Sequence, residues 1–186
     1  MTKEVPYNLK DLEDWNERYG KLRAGFVAQF LPSKGRLLDV GGFQGDLKRY
    51  VSREIDYYLV DLFAPKGMQM FEFDLNFLNE KRLPFEDKFF DMVVAIDIFE
   101  HIKRPFELLE EIRRVLKDDG LLITSRHLIV TKRHYFVITE AFFEDWKEVK
   151  REPIAEVYME IDGKMFYSIV KSASIVSEVF YLLRKA

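Results

Sequence analysis

The chain has 186 residues, 48% of them hydrophobic and 33% charged, with a formal net charge of -3. That balance is too apolar for a disordered segment and too charged for a bundle of membrane spans, and it sets up no global attraction to nucleic acid or anionic lipid. Cysteine is absent, which excludes disulfides, thiolate metal centres and a cysteine nucleophile.

Residues 9–31 read as an amphipathic helix, because Leu12, Trp15, Tyr19, Leu22, Phe26 and Phe30 recur at three- and four-residue steps between a capping Asn8 and Pro32. Four short apolar runs follow, each ending near a carboxylate: Leu37–Val40 with Asp39, Tyr57–Asp61, Met70–Asp74 and Met92–Asp97. Runs of this kind fit strands buried on both faces of a parallel sheet. A helix is expected over 45–54, and a clearer one opens at Pro105, with Leu108, Leu109, Ile112, Val115 and Leu116 on one face and Gly120 just beyond its end. Leu121–Thr124 reads as a fifth strand and Thr139–Lys150 as a further helix. Two strand-like stretches, Val157–Ile161 and Met165–Val170, flank an Asp162-Gly163 turn signal, and Val179–Leu183 is a candidate last strand. Alternating strands and helices predict an α/β, doubly wound, mostly parallel sheet within one domain spanning 1–186.

In such a sheet ligands lie beyond the carboxyl ends of the strands. The glycine turn Gly41-Gly42-Phe43-Gln44-Gly45 follows strand one, and Asp61, Asp74 and Asp97 end strands two, three and four, so all four features share one edge. The turn can let backbone approach a carboxylate-bearing end, Asp61 can accept both hydroxyls of a ribose, and Asp74 can accept from the amine of adenine. Amino-acid end, ribose and adenine in that order describe S-adenosylmethionine. A nicotinamide cofactor fits less well: the acid at Asp61 is in place, but Phe43 and Asp46 occupy the second and third glycine positions of that fingerprint.

Five pieces in this order resemble the class I S-adenosylmethionine-dependent methyltransferases, over roughly residues 34–126. They are Leu37–Gly45, Leu59-Val60-Asp61, Leu83–Val94, Phe99-Glu100-His101 and Leu109–Lys117. The resemblance implies a Rossmann-like sheet of seven strands with a C-terminal antiparallel hairpin. It further implies a donor site built from Asp39, Gly41, Gly42, Phe43, Gly45, Asp61, Leu62, Asp74, Leu75 and Asp97. Asp39 would anchor the turn and reach the donor's amino group. His101 would lie near the transferred methyl as a general base or substrate contact. Phe43 departs from the family pattern, which has glycine there, as does Asp118-Asp119-Gly120 where Pro-Gly-Gly is usual.

The acceptor is expected to be a small molecule. The Asn/Asp-Pro-Pro-aromatic pattern of base-amino methyltransferases is replaced by Asp97-Ile98-Phe99-Glu100, and no cysteine exists for a pyrimidine adduct. The basic group Arg126, His127, Lys132, Arg133 and His134 suits an anionic acceptor, against the plainer reading of a solvated face. Trp15, Tyr19, Phe136, Phe142, Phe143 and Trp146 are candidates for a pocket roof, with Trp15 and Tyr19 the best placed for a lid. Aromatics at helical spacing are more often core. All three histidines follow strands four or five near Glu100, but their spacing matches no ligand pattern, so no metal is expected. A non-catalytic donor-binding or partner protein of the same fold is the alternative, carried only by Phe43. The N-terminus lacks a signal-peptide pattern and no run of about 18 apolar residues occurs, which points to a cytoplasmic protein without a membrane span. Asn only at 8, 16, 76 and 79, and Gln only at 29, 44 and 69, suggest a thermophilic source.

Overall fold

The computed structural model describes residues 20–63, 69–78, 81–128, 134–161, 164–171 and 177–186, with the backbone alone for 156–171. The described elements are α1 (Lys21–Ala28), β1 (Lys34–Val40), β2 (Glu54–Asp61), β3 (Met70–Glu72), β4 (Phe90–Ala95), α2 (Pro105–Val115), β5 (Leu116–His127), β6 (Trp146–Ile161), β7 (Lys164–Lys171) and β8 (Glu178–Lys185). Short 3-10 turns lie between several of them.

The eight strands form one sheet in the order β3-β2-β1-β4-β5-β8-β6-β7. The ladders from β3 to β5 are parallel, and those joining β5 to β8, β8 to β6 and β6 to β7 are antiparallel. The doubly wound, mostly parallel architecture and the antiparallel C-terminal part agree with the sequence reading. The count is one above the seven expected, because the 157–170 hairpin places β7 on the sheet edge beyond β6. Strand order reverses between β1 and β4, the position at which an open α/β sheet leaves a crevice for a ligand.

Consecutive strand residues face opposite ways, so each run of apolar residues feeds two cores. Leu38, Val40, Val60, Val93 and Ala95 pack with Leu108, Leu109, Ile112 and Val115 of α2. Leu37, Leu59, Met92, Val94 and Ile123 pack on the other face with Ala24, Phe26 and Val27 of α1. Phe26 reaches across to the ring of Phe180 on β8 at 4.9 Å between centroids.

Two expected helices are not formed. Over 45–54 there is one 3-10 turn, Asp46–Arg49, and β2 already begins at Glu54. α1 lies where a longer crossover helix would pack, with Ala24 and Val27 against Leu47 and Gly25 facing the Tyr50 ring. Over 139–150 the chain makes only Glu140–Phe143 as a 3-10 turn, after which Trp146–Glu148 pair with Lys185–Leu183 of β8. Ladder formation with β8 outweighs the local helical spacing there, a tertiary override of propensity. Phe142, Phe143 and Trp146 are core residues as a result.

The segment before β4 is tied to α2 by a polar lock. The buried Glu111 carboxylate accepts from the Leu83 amide at 2.9 Å, while Arg114 donates to the Leu83 and Phe85 carbonyls at 3.1 and 2.7 Å. Phe85, Phe89 and Phe90 then close around Tyr58 of β2. This lock fixes where β4 starts and hence where its carboxyl end emerges.

Candidate functional site

A cavity opens at the switch point. It encloses about 520 Å³ including its mouth, and its walls are Gly20, Arg23, Ala24 and Val27 of the α1 segment, Asp39, the turn Gly41-Gly42-Phe43, Asp46, Leu47, and Val94 and Ile96.

The glycine turn is shaped by its backbone. Gly41 adopts a φ of 75°, and a Cβ there would meet Ile98 Cδ1 at 2.6 Å. Phe43 holds a φ of 51°, the left-handed region usually left to glycine. The residue that departs from the family pattern thus keeps the glycine-like conformation, at a strain of about 1 kcal/mol. Its ring rests edge-on against Phe63, 6.4 Å between centroids.

Asp39 is 5% exposed beneath this turn and accepts a hydrogen bond from the Tyr57 hydroxyl. Burial pushes its carboxyl up to about 7; the Tyr57 hydrogen bond opposes the rise and the charge of Asp61 adds to it. Asp61 accepts from the Phe43 amide at 3.0 Å with one oxygen and from the Phe63 amide at 2.8 Å with the other. It therefore fastens the glycine turn to the end of β2. Burial raises the Asp61 pKa, opposed by the backbone hydrogen bonds of Phe63, Phe43 and Leu62. Three backbone donors occupy most of its lone-pair directions and leave about one for a ligand hydroxyl.

The remaining expected residues are placed less uniformly. Gly45 takes a φ of 74° as it opens the 3-10 turn. Asp74 caps the turn Leu75–Phe77 by accepting from the Asn76 amide at 3.0 Å and from its side chain at 3.1 Å. Leu75 buries its side chain in the α2-side core, and Leu62 is half-buried beside Asp61. Neither pair is on the cavity wall. Asp97, at φ 51°, is tied to Arg23 and to His127 (3.0 Å), and its amide donates to Ser125 Oγ at 3.1 Å. His101 is half-buried, with its ring 4.9 Å from that of His134.

Sequence reasoning missed Arg23. It is 4% exposed, lines the cavity, and binds both Asp97 and Glu178, the latter at 3.0 Å. The signal was present: position 23 is four after Tyr19 and three before Phe26, on the apolar stripe of the leading helix. A charge on a buried stripe calls for a partner. Of the basic group, Arg126 is paired with Glu140 at 3.3 Å and His127 with Asp97, while Lys132 and Arg133 fall outside the described residues, as do Trp15 and Tyr19. Phe136, expected as roof, is exposed.

A family model described as a methyltransferase domain matches residues 8–148. The chain belongs to that family. Fold and family together place the chain in the class I S-adenosylmethionine-dependent methyltransferase family. Among solved structures, a SAM-dependent methyltransferase from Archaeoglobus fulgidus is similar at 15% identity and a TM-score of 0.67, covering 96% of this chain and 100% of that one. The 1,6-didemethyltoxoflavin-N1-methyltransferase of Burkholderia thailandensis, solved with its substrate and S-adenosylhomocysteine, is similar at 15% identity and a TM-score of 0.66, covering 95% and 83%. At these identities the likeness speaks for the methyltransferase fold. An uncharacterized protein of Methanocaldococcus jannaschii, MJ0638, is 40% identical over 91 residues, 48% of this methyltransferase chain and 37% of that protein. The chain thus spans little more than a third of the length of that curated relative.

The cavity fits the family's cofactor on its own terms. The turn Gly41-Gly42-Phe43 lines the cavity with main chain, and the buried Asp39 and Arg23 put one acid and one base on the same wall. An amino acid's ammonium and carboxylate need that pair of charges.

Proposed function

We propose that this methyltransferase moves a methyl group from S-adenosylmethionine to a small-molecule acceptor, as a single cytoplasmic domain. The observation that carries the reading is the cavity at the switch point, where the left-handed glycine turn, Asp39 and Arg23 converge and Asp61 is bonded to the turn through Phe43. When bound, the cofactor supplies an activated methyl on a sulfonium.

The chain's own task is to bind, orient and exclude water. In this reading Asp39 faces the donor's ammonium and Arg23 its carboxylate, with the amides of Gly41, Gly42 and Phe43 alongside. Gly45 lets the chain turn away. Asp61 receives a ribose hydroxyl on its remaining lone pair, with Leu62 beside it, and Asp74 and Leu75 form the adenine end. Asp97 holds Arg23 in place and so acts at one remove.

Calorimetry with S-adenosylmethionine and S-adenosylhomocysteine is expected to show saturable one-to-one binding. Absence of heat and of any thermal shift at millimolar ligand would overturn the reading. Asp61 gives a sharper test. Asp61→Ala removes a charge-assisted contact of about 1.5–3 kcal/mol, so affinity should fall roughly tenfold to a hundredfold. Asp61→Asn, which can still accept from the Phe43 amide, should retain the fold and lose less affinity. Unchanged binding in a folded Asp61→Ala variant would place the ribose elsewhere.

A further inference from the structure

Beyond the donor cavity, the loop after β4 carries a second cluster whose chemistry the transfer reaction leaves unused. Glu100, His101 and His134 each offer a ligand atom, and the three atoms lie within 4.8 Å of one another. Glu100 is 2% exposed, and neither carboxylate oxygen has a hydrogen-bond partner among the described residues. A carboxyl group buried in this way is costly unless something supplies protons or positive charge.

The neighbouring cluster shows the contrast. Asp97, His127 and Glu178 are equally close together, but the guanidinium of Arg23 sits among them, bonded to Asp97 and Glu178 and 3.0 Å from His127 Nε2. That group is already compensated by a side chain. Glu100 borders it and feels the charges of His127, Arg23 and Glu178, yet neither of its oxygens is bonded to any of them. His134 bridges the two groups, its ring 6.0 Å from His127 and 4.9 Å from His101.

We propose that Glu100, His101 and His134 form a binding site for a divalent first-row transition-metal ion. Two imidazoles and one carboxylate suit zinc, iron, cobalt or nickel rather than magnesium or calcium, which prefer all-oxygen shells. A tetrahedral ion with bonds of about 2.0–2.1 Å holds its donors roughly 3.4 Å apart. The three ligand atoms already lie within about 1.5 Å of that spacing. Glu100 and His101 share one 3-10 turn, Phe99–His101, whose register is set by the His101 amide donating to the Ile98 carbonyl at 3.0 Å. The Tyr135 amide donates to the Glu100 carbonyl at 2.8 Å and brings the His134 segment alongside. Backbone thus preorganises ligands from two separate segments.

Three protein ligands leave a coordination position open. Ile98, which packs against Gly41, is two residues from Glu100, so the ion is on the donor side of the sheet edge. This assignment gives His101 a task other than general base, and it departs from the expectation of no metal drawn from spacing.

The test uses the purified full chain, stripped with chelator and titrated with Zn²⁺ and with Co²⁺. One equivalent is expected to bind at micromolar concentration or tighter, with Co²⁺ giving the visible absorption of a low-coordinate site. Glu100→Gln and His134→Ala should each weaken binding at least tenfold. His134 is half-buried, so its variant is the one to use if Glu100→Gln does not fold. S-Adenosylhomocysteine binding is measured on the same preparations. Metal binding without it supports the metal site and removes the methyltransferase reading. Binding of S-adenosylhomocysteine with no stoichiometric metal, or metal affinity unchanged in folded variants, overturns the metal site alone.

Discussion

Replacing Gly42 by alanine is expected to remove measurable S-adenosylmethionine binding and to lower the melting temperature by roughly 5–10 °C. A Cβ at this position would lie 2.3 Å from Asp39 Oδ2, 2.4 Å from its Cγ and 2.7 Å from Oδ1. The obstacle is a whole carboxyl group, buried and bonded to Tyr57, so it has no free direction in which to retreat. Overpacking of this kind costs about 1–3 kcal/mol, which for a chain of this length gives a melting shift of the stated order. Displacing Asp39 also disturbs the acid on the cavity wall, so binding should fall further than stability. The double variant Asp39→Ala with Gly42→Ala separates the two effects. It should recover most of the lost melting temperature, because the clash is gone, and none of the binding. Normal donor affinity in Gly42→Ala would show that the turn tolerates a side chain and that the ligand lies off the main chain.

Strand identity was legible because the apolar runs Leu37–Val40, Tyr57–Val60 and Met92–Ala95 fill two cores at once, and only β-structure buried on both faces needs such runs. The glycine turn and Asp61 were legible for a related reason. Their positions follow from where strands end, and the turn's amide at Phe43 does meet Asp61. Helices 45–54 and 139–150 were misread because a short segment's periodicity does not record what it will pair with. Trp146 and Lys147 find partners in Lys185 and Arg184, nearly forty residues on. The same limit hid the network of Arg23, Asp97, His127 and Glu178, whose four members come from four separate parts of the chain. The unpartnered state of Glu100 is also a property of three-dimensional neighbours, so spacing alone argued against a metal there.

The second large effect concerns pH and Asp39. Its carboxyl is raised from 3.8 to about 7 in the fold, chiefly by burial. Folding therefore favours the protonated form. Below about pH 4 the group is protonated in both folded and unfolded chains and costs nothing. Between about 4 and 7 the unfolded chain ionises first, so stability falls as pH rises, by up to about 4 kcal/mol, and above 7 the loss is complete. A cationic ligand beside Asp39 favours its ionised form, so binding near pH 6 must expel a proton. The affinity of wild-type protein for S-adenosylmethionine should therefore tighten about tenfold per pH unit up to 7 and then level off. Calorimetry at pH 6 in two buffers of different ionisation enthalpy should register about one proton released. Asp61 is also raised by burial, so the wild-type profile by itself does not assign the step; Asp39→Asn does. That variant should melt above wild type at pH 8, where the wild-type protein carries a buried charge, yet bind the donor at least tenfold more weakly and with a flat pH profile. A variant that kept the wild-type slope would move the proton to Asp61, and one that kept wild-type affinity at pH 8 would take Asp39 out of the donor site.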